Sequence, residues 1–153
     1  MEKLFIVCDI DGTLADLTHR LHYIIPADGG KKDWRSFNSD AEVMKDVPIG
    51  ATVAVLRAFR KATDLSIVLL SGRNDVCRTG TETWLDIADI PYDALLMRAN
   101  GDYRDDVVVK RELAESMSLT PENTLLVLDD RQKVVNMWRE EGFVCHQVNA
   151  WEE

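Results

Sequence analysis

Leu4-Phe5-Ile6-Val7-Cys8-Asp9-Ile10-Asp11-Gly12-Thr13-Leu14 decides how this chain of 153 residues folds. Five apolar residues run without a break and stop at two aspartates separated by a single residue. An unbroken apolar run of this length suits a strand covered on both faces. Side chains alternate along an extended backbone, so Asp9 and Asp11 leave the strand end in the same direction. Gly12 lets the chain turn sharply beside them.

Further along, the same kind of run recurs at 65–70, 94–97, 125–128 and 143–148. Between the runs the apolar residues switch to helical spacing: Val53, Leu56 and Phe59 within 51–62, then Trp84, Leu85 and Ala88 within 81–88. Val109, Leu113 and Met117 within 107–117, and Val134, Val135 and Trp138 within 133–141, continue the pattern. Thr79 and Glu82 read as a capping box, and Gly142 as a C-terminal stop. Strands alternating with helices predict an α/β fold, a five-stranded parallel sheet flanked by helices. Such sheets bind ligands beyond the carboxyl ends of their strands, near a switch in strand order. The polar segment 15–48 breaks the rhythm and predicts a small cap or lid inserted after the first strand of one domain spanning 1–153.

The composition, 46% hydrophobic and 29% charged, is globular and excludes a disordered or low-complexity chain. A net charge of −9 disfavours broad binding to duplex nucleic acid but not recognition of a single phosphate end. The three cysteines, Cys8, Cys77 and Cys145, form no CxxC pair, which predicts a reducing compartment, and Cys8 and Cys145, lying in apolar runs, read as packing rather than reactive residues. The N-terminal run is interrupted by aspartates and reads as no signal peptide. The chain has no apolar run long enough to span a membrane.

Two carboxylates as close as Asp9 and Asp11 call for a divalent cation or a shared proton. The pair suits two-step phosphoryl transfer, in which one carboxylate attacks phosphorus and the other serves the leaving oxygen and then water. The other strand ends supply what such a site needs. Ser71-Gly72-Arg73 offers a hydroxyl, a free backbone N–H and a guanidinium fork for phosphate oxygens. Asp129-Asp130-Arg131 places acids where a metal would be wanted. Asp106 and Lys110 stand four residues apart on one helix, either as an exposed pair or with Asp106 orienting the ammonium toward phosphate.

Asp9-Ile10-Asp11-Gly12-Thr13, Ser71, Lys110 and Asp129-Asp130, in this order, resemble the four motifs of the haloacid dehalogenase (HAD) phosphatase superfamily. Leu70 to Arg73, Met97 to Lys110 and Leu128 to Arg139 resemble more closely the 3′-phosphatase domain of phage-type polynucleotide kinase-phosphatase. The resemblance implies a Rossmann-like HAD fold with the first strand central. It implies Asp9 as nucleophile, Asp11 as acid/base, and Ser71, Gly72 and Lys110 as phosphate ligands. A Mg²⁺ ion is implied on Asp9, the Asp11 carbonyl and the acid pair, with Asp130 favoured over Asp129. Arg20, Arg73, Asp106 and Arg131 are implied as supporting or substrate-contacting residues. The implied substrate is a 3′-phosphorylated nucleic-acid end or nucleotide, and the implied setting is the cytoplasm, of a bacterial host if the gene is phage-borne.

No G-x-x-x-x-G-K-[ST] is present, so a fused kinase is not expected. The segment from Leu17 to Pro48 looks longer than its counterpart in that family. Trp34 and Phe37 read either as base-stacking residues or as the core of a small cap, and His19 and His22 as substrate contacts or solvated loop residues. The alternatives in play are a 5′(3′)-mononucleotidase, a phosphoacceptor receiver and an inactive binding module. A receiver carries its acceptor after the third strand, where this chain has Met97-Arg98 and no acid. Oligomeric state is open, with Trp151 in the acidic tail packed or in an interface.

Overall fold

A computed structural model of the chain describes residues 2–150, so Trp151 lies outside the described residues. Strand β1 (Phe5–Cys8) leads into a short β2 (Ala15–Asp16). A 3-10 turn (Thr18–Tyr23) and two short helices, α1 (Trp34–Phe37) and α2 (Asp40–Val43), bring the chain to β3 (Val47–Pro48). Helix α3 (Gly50–Ala62), β4 (Ser66–Asn74), α4 (Arg78–Ile87) and β5 (Ala94–Arg98) follow. The chain closes with α5 (Asp106–Ser116), β6 (Thr124–Asp129), α6 (Gln132–Glu140) and β7 (Cys145–Gln147).

The five long-range strands form one parallel sheet in the order β5-β4-β1-β6-β7. β1 is central, and the chain turns back across it to build the second half. The carboxyl end of β1 is therefore the switch point of the sheet. The unbroken apolar runs follow from burial on both faces. Ile6, Cys8, Ile67 and Leu69 face one core with Leu56 and Trp84, while Val7, Val68 and Leu70 face another with Val135 and Trp138. All three cysteines are buried and free, as packing residues would be. Among the described residues no helix is long and apolar enough to cross a membrane.

The segment 15–48 holds the 3-10 turn, α1 and α2 between β2 and β3. Its neck is the antiparallel pair β2 and β3, with Ala15 opposite Pro48 and Asp16 opposite Val47. Its far side rests on α4, where Gly80 N–H donates to Asp40 Oδ1 at 2.8 Å. A Cβ on Gly80 would lie 2.7 Å from Asp40 Cα, so only glycine permits this approach.

Two sequence expectations are corrected. The Thr79–Glu82 capping box does not form. Asn74 caps a short 3-10 turn (Asp75–Cys77) through the Val76 N–H, and α4 continues from Arg78, leaving Thr79 inside the helix. Asp75, Val76 and Cys77 carry the chain into the helix earlier than its apolar periodicity begins. The second long strand also runs past Leu70 to Asn74, because register with β5 resumes at Asn74 opposite Arg98 after an irregularity.

Candidate active site

Asp9, Asp11, Ser71, Lys110, Asp129 and Asp130 meet at the carboxyl edge of β1, β4 and β6. Asp9 ends β1, and its backbone N–H continues the ladder to Leu128 at 2.9 Å. Asp129 and Asp130 end the neighbouring β6, and one carboxylate oxygen from each of Asp9, Asp129 and Asp130 lies within 4.8 Å of the others. Lys110 reaches in from α5, with Nζ 3.1 Å from Asp9 and 2.8 Å from Asp129. Thr13 closes the cluster, its hydroxyl 3.3 Å from both Asp9 and Asp130. Gly12 makes the return turn possible at φ 79°.

Three buried carboxylates against one ammonium leave excess negative charge. Burial pushes the Asp9 carboxyl well above the ordinary value, and Asp129 adds to the rise. Asp130 is raised for the same reasons, burial first. Burial opposes a charged Lys110, but Asp9 and Asp129 outweigh it and hold the ammonium. This donor set fits a hard divalent cation: oxygen ligands only, in a buried cluster whose repulsion a cation would relieve. Asp129 has its oxygens taken up by Lys110 Nζ, by Trp138 Nε1 at 3.2 Å and by Asp130 N–H at 2.9 Å. Asp130 accepts from Thr13 and keeps more of its carboxylate open.

Asp11 sits in a different field. Burial alone would raise its carboxyl, but Arg73, and then Arg20, reverse this and hold it below the usual carboxylate range. Arg73 Nη2 donates to Asp11 Oδ1 at 2.5 Å and Arg20 Nη2 at 3.2 Å. Behind them Asp46, on the loop before β3, takes both guanidinium groups, from Arg20 at 2.8 and 2.9 Å and from Arg73 at 2.9 Å. His19 Nε2 lies 2.7 Å from the same carboxylate. Two arginines and two aspartates thus make a charge-balanced quartet. It leaves Asp11 partly open, its side chain 28% exposed, on a cavity of about 940 Å³.

Ser71 and Gly72 line that cavity at the end of β4. The Ser71 hydroxyl accepts from Arg73 N–H at 3.0 Å, which leaves its own proton for a substrate oxygen. A side chain on Gly72 would collide with the Asp106 carboxylate. Asp106 lies on the far wall between Arg98 and Arg131, hydrogen-bonded to both. The sequence expectation for Asp106 is therefore corrected. It makes neither an exposed pair with Lys110 nor a direct contact orienting it, because Lys110 turns inward to Asp9 and Asp129.

The structure brings Asp9, Asp11, Ser71, Gly72, Lys110, Asp106, Arg73 and Arg131 onto the cavity, with Asp129, Asp130 and Arg20 directly behind it. His19 faces Asp46, His22 packs on Tyr23, and neither lines the cavity. Asp46 and Arg98 were missed. Asp46 carries no motif, and nothing in Met44-Lys45-Asp46-Val47 marks it out. Arg98, after the run 94–97, stands at a strand end, the one signal that could have found it.

A central β1 closed by Asp-x-Asp, with a hydroxyl, a lysine and an acid pair arriving from the neighbouring elements, defines a phosphatase domain of the HAD class. Within that class the chain belongs to the polynucleotide kinase PNKP phosphatase-domain family, whose model matches residues 3–152. It is 29% identical over 136 residues, 88% of its length, to a protein of Autographa californica nuclear polyhedrosis virus named "Putative bifunctional polynucleotide kinase/RNA ligase". It is 31% identical to a chain of the Pnkp1/Rnl/Hen1 RNA repair complex, with a TM-score of 0.78 over 100% of its length. A crystal structure of a predicted phosphatase from Clostridium acetobutylicum shares the fold, at 16% identity and a TM-score of 0.69, covering 100% of this chain and 89% of that one. The chain spans 18% of the viral protein and 44% of the RNA-repair chain.

Proposed function

We propose that this chain removes the phosphate from the 3′ end of a polynucleotide or nucleotide through an aspartyl-phosphate intermediate on Asp9. The observation that carries the reading is the convergence of Asp9, Lys110 and Ser71 on one cavity with Asp11 beside them. Asp9 attacks phosphorus and the ester bond to the 3′-oxygen breaks. Asp11 gives the leaving oxygen its proton, then takes one from the water that attacks the aspartyl phosphate and releases inorganic phosphate. Lys110, the Ser71 hydroxyl and the Gly72 N–H hold the phosphoryl oxygens.

Asp11 is held ionised by Arg73 and Arg20, so it is suited as it stands to take the proton of water. To serve the first step it takes up a proton when the anionic substrate draws on the same arginines. Mg²⁺ held by Asp9, the Asp11 carbonyl and Asp130, with Asp129 behind, would neutralise charge between two anions that must approach. A nucleic-acid end as substrate is supported by the viral relative's name and by the repair complex that contains the solved relative.

Phosphate release is to be measured with Mg²⁺ on 3′-phosphorylated oligonucleotides, 5′-phosphorylated oligonucleotides and free nucleoside monophosphates. The expected order puts 3′-phosphorylated ends first, with EDTA abolishing release and Mg²⁺ restoring it. A rate on monophosphates at least about tenfold above that on oligonucleotide ends favours a mononucleotidase instead.

A further inference from the structure

The cavity of about 940 Å³ is far larger than a phosphoryl group requires. Of its three aromatic lining residues, Phe37 meets Arg20 of the quartet, while Trp34 on α1 and Tyr103 in the loop after β5 touch neither the quartet nor the acid cluster. Both rings face water, Trp34 at 51% exposure and Tyr103 at 92%.

Each is anchored by contacts that begin at the phosphate site. Arg20, a partner of Asp11, lays its guanidinium carbon 4.4 Å from the centre of the Phe37 ring. Trp34 meets Phe37 edge to face at 5.7 Å, and Asp33 caps their helix through the Ser36 N–H. Arg98 donates from Nε to the Gly72 carbonyl at 2.8 Å. Its Nη1 donates to the carbonyls of Asp102 at 3.1 Å and Arg104 at 2.6 Å, the residues on either side of Tyr103. The backbone at Tyr103 is thus pinned to the phosphate loop while its ring is left in solvent.

Exposed single aromatics are ordinary on protein surfaces. Two flat rings on separate elements at one cavity, one packed on Phe37 and the other carried on a backbone pinned to the phosphate loop, are suited to stacking successive unpaired bases. Positive charge accompanies them: Arg35 lines the cavity and Lys32 Nζ stands 5.8 Å from the Trp34 ring centre. Arg104 adds little, since its guanidinium is taken by Asp102 and Glu112. A net charge of −9 disfavours broad binding to a duplex, whose bases are in any case stacked on one another.

Building on the phosphatase reading above, we propose that Trp34 and Tyr103 are stacking platforms for two bases of a single-stranded nucleic acid. The substrate is then a single-stranded end of at least two nucleotides. RNA and DNA present the same faces to these rings, and parallel ribo- and deoxyribo-oligomers tell them apart.

The test is equilibrium binding, by fluorescence anisotropy, of 5′-labelled single-stranded pentanucleotides with a 3′-phosphate, beside hydrolysis of the same oligomers and of p-nitrophenyl phosphate. Trp34→Ala and Tyr103→Ala should each weaken binding at least about fivefold, the low end of what one base–aromatic stack contributes. The ratio of kcat/KM on the pentanucleotide to that on p-nitrophenyl phosphate should fall by a similar factor through KM. Trp34→Phe should recover most of the loss, which separates stacking from a collapsed insert. Pentanucleotide Kd values within about twofold of wild type in both alanine variants overturn the platforms, and phosphate release by those same proteins keeps the phosphatase reading intact. If no phosphate ester is hydrolysed but the pentanucleotide binds and the variants weaken it, the phosphatase reading fails and the platforms stand. No binding of any single-stranded oligomer by the unaltered protein overturns the proposal.

Discussion

Arg20 grips Asp46 with two hydrogen bonds, Nε to Oδ1 at 2.8 Å and Nη2 to Oδ2 at 2.9 Å, and both side chains are fully buried. The pair lies behind Asp11, and Arg73 joins Asp11 and Asp46 from the other partner's side of the quartet. Removing Asp46 leaves two buried guanidinium groups with Asp11 as their remaining carboxylate. Breaking such a buried pair costs about 3–5 kcal/mol. For a chain of this size Asp46→Ala should therefore lower Tm by at least roughly 6 °C. Asp46→Asn keeps the shape and places more of both arginines on Asp11, holding its carboxyl lower still and leaving it less often protonated to serve the leaving oxygen. Its kcat should fall more on an alkyl phosphate than on p-nitrophenyl phosphate, whose leaving group needs little protonation. Equal losses on the two substrates would contradict a link between Asp46 and the Asp11 proton.

Asp9 is costly to the fold because it is an acid buried beside two others. Asp9→Asn should abolish phosphatase activity and at the same time stabilise the metal-free protein at neutral pH. A gain of about 1 kcal/mol corresponds to roughly 2–4 °C in Tm. Lys110 retains Asp129 in this variant. A lower metal-free Tm in Asp9→Asn would show that the cluster is not under charge repulsion.

The pH dependence of stability carries the same signature. Asp9 and Asp130 have raised carboxyls in the folded protein, from burial first and Asp129 next. As pH rises past the ordinary Asp value, about 3.9, the unfolded chain loses these protons before the folded one does, and this contribution to stability declines. Asp11, held low, has the opposite sign: its contribution is present above about 3.9 and is lost as pH falls through its folded value. A divalent cation offsets the first effect. The rise in Tm on adding Mg²⁺ should therefore be larger at pH 7 than at pH 5. An equal rise at both pH values, or none, would contradict a metal site on these carboxylates.

Gly80 is one of the contacts by which the insert rests on the sheet domain, beside the Asp46–Arg73 pair and the Trp84 indole N–H donated to the Asp46 carbonyl. Gly80→Ala places a methyl group against Asp40 and should cost about 1–3 kcal/mol, typical of overpacking. Limited proteolysis within 15–48 should accelerate, and KM for an oligonucleotide should rise more than KM for p-nitrophenyl phosphate. Unchanged proteolysis and unchanged KM would mean that the Asp46 contacts hold the insert without this one.

The strands and the motif residues were legible in the sequence because both are local. An apolar run such as 65–70 reports burial on two faces, and Asp9 and Asp11 are fixed by strand geometry two residues apart. Asp46 was illegible because its role is wholly tertiary. It acquires meaning only when the insert folds back and sets it 2.9 Å from Arg73, 27 residues away. The Asp106–Lys110 expectation went wrong for a related reason. Helical spacing brings i and i+4 together, but stronger buried partners drew Lys110 to Asp129 and left Asp106 to Arg98 and Arg131.

The most direct test is to catch the phosphoryl group on the enzyme. Turnover of a 3′-phosphorylated oligonucleotide with Mg²⁺ is quenched in acid within the first cycles, and the peptide carrying the added phosphoryl mass is located by mass spectrometry. The mass should sit on Asp9 and be missing from Asp9→Asn. Product formation with no covalent phosphoryl group at any time point, or with the group on another residue, would contradict the account.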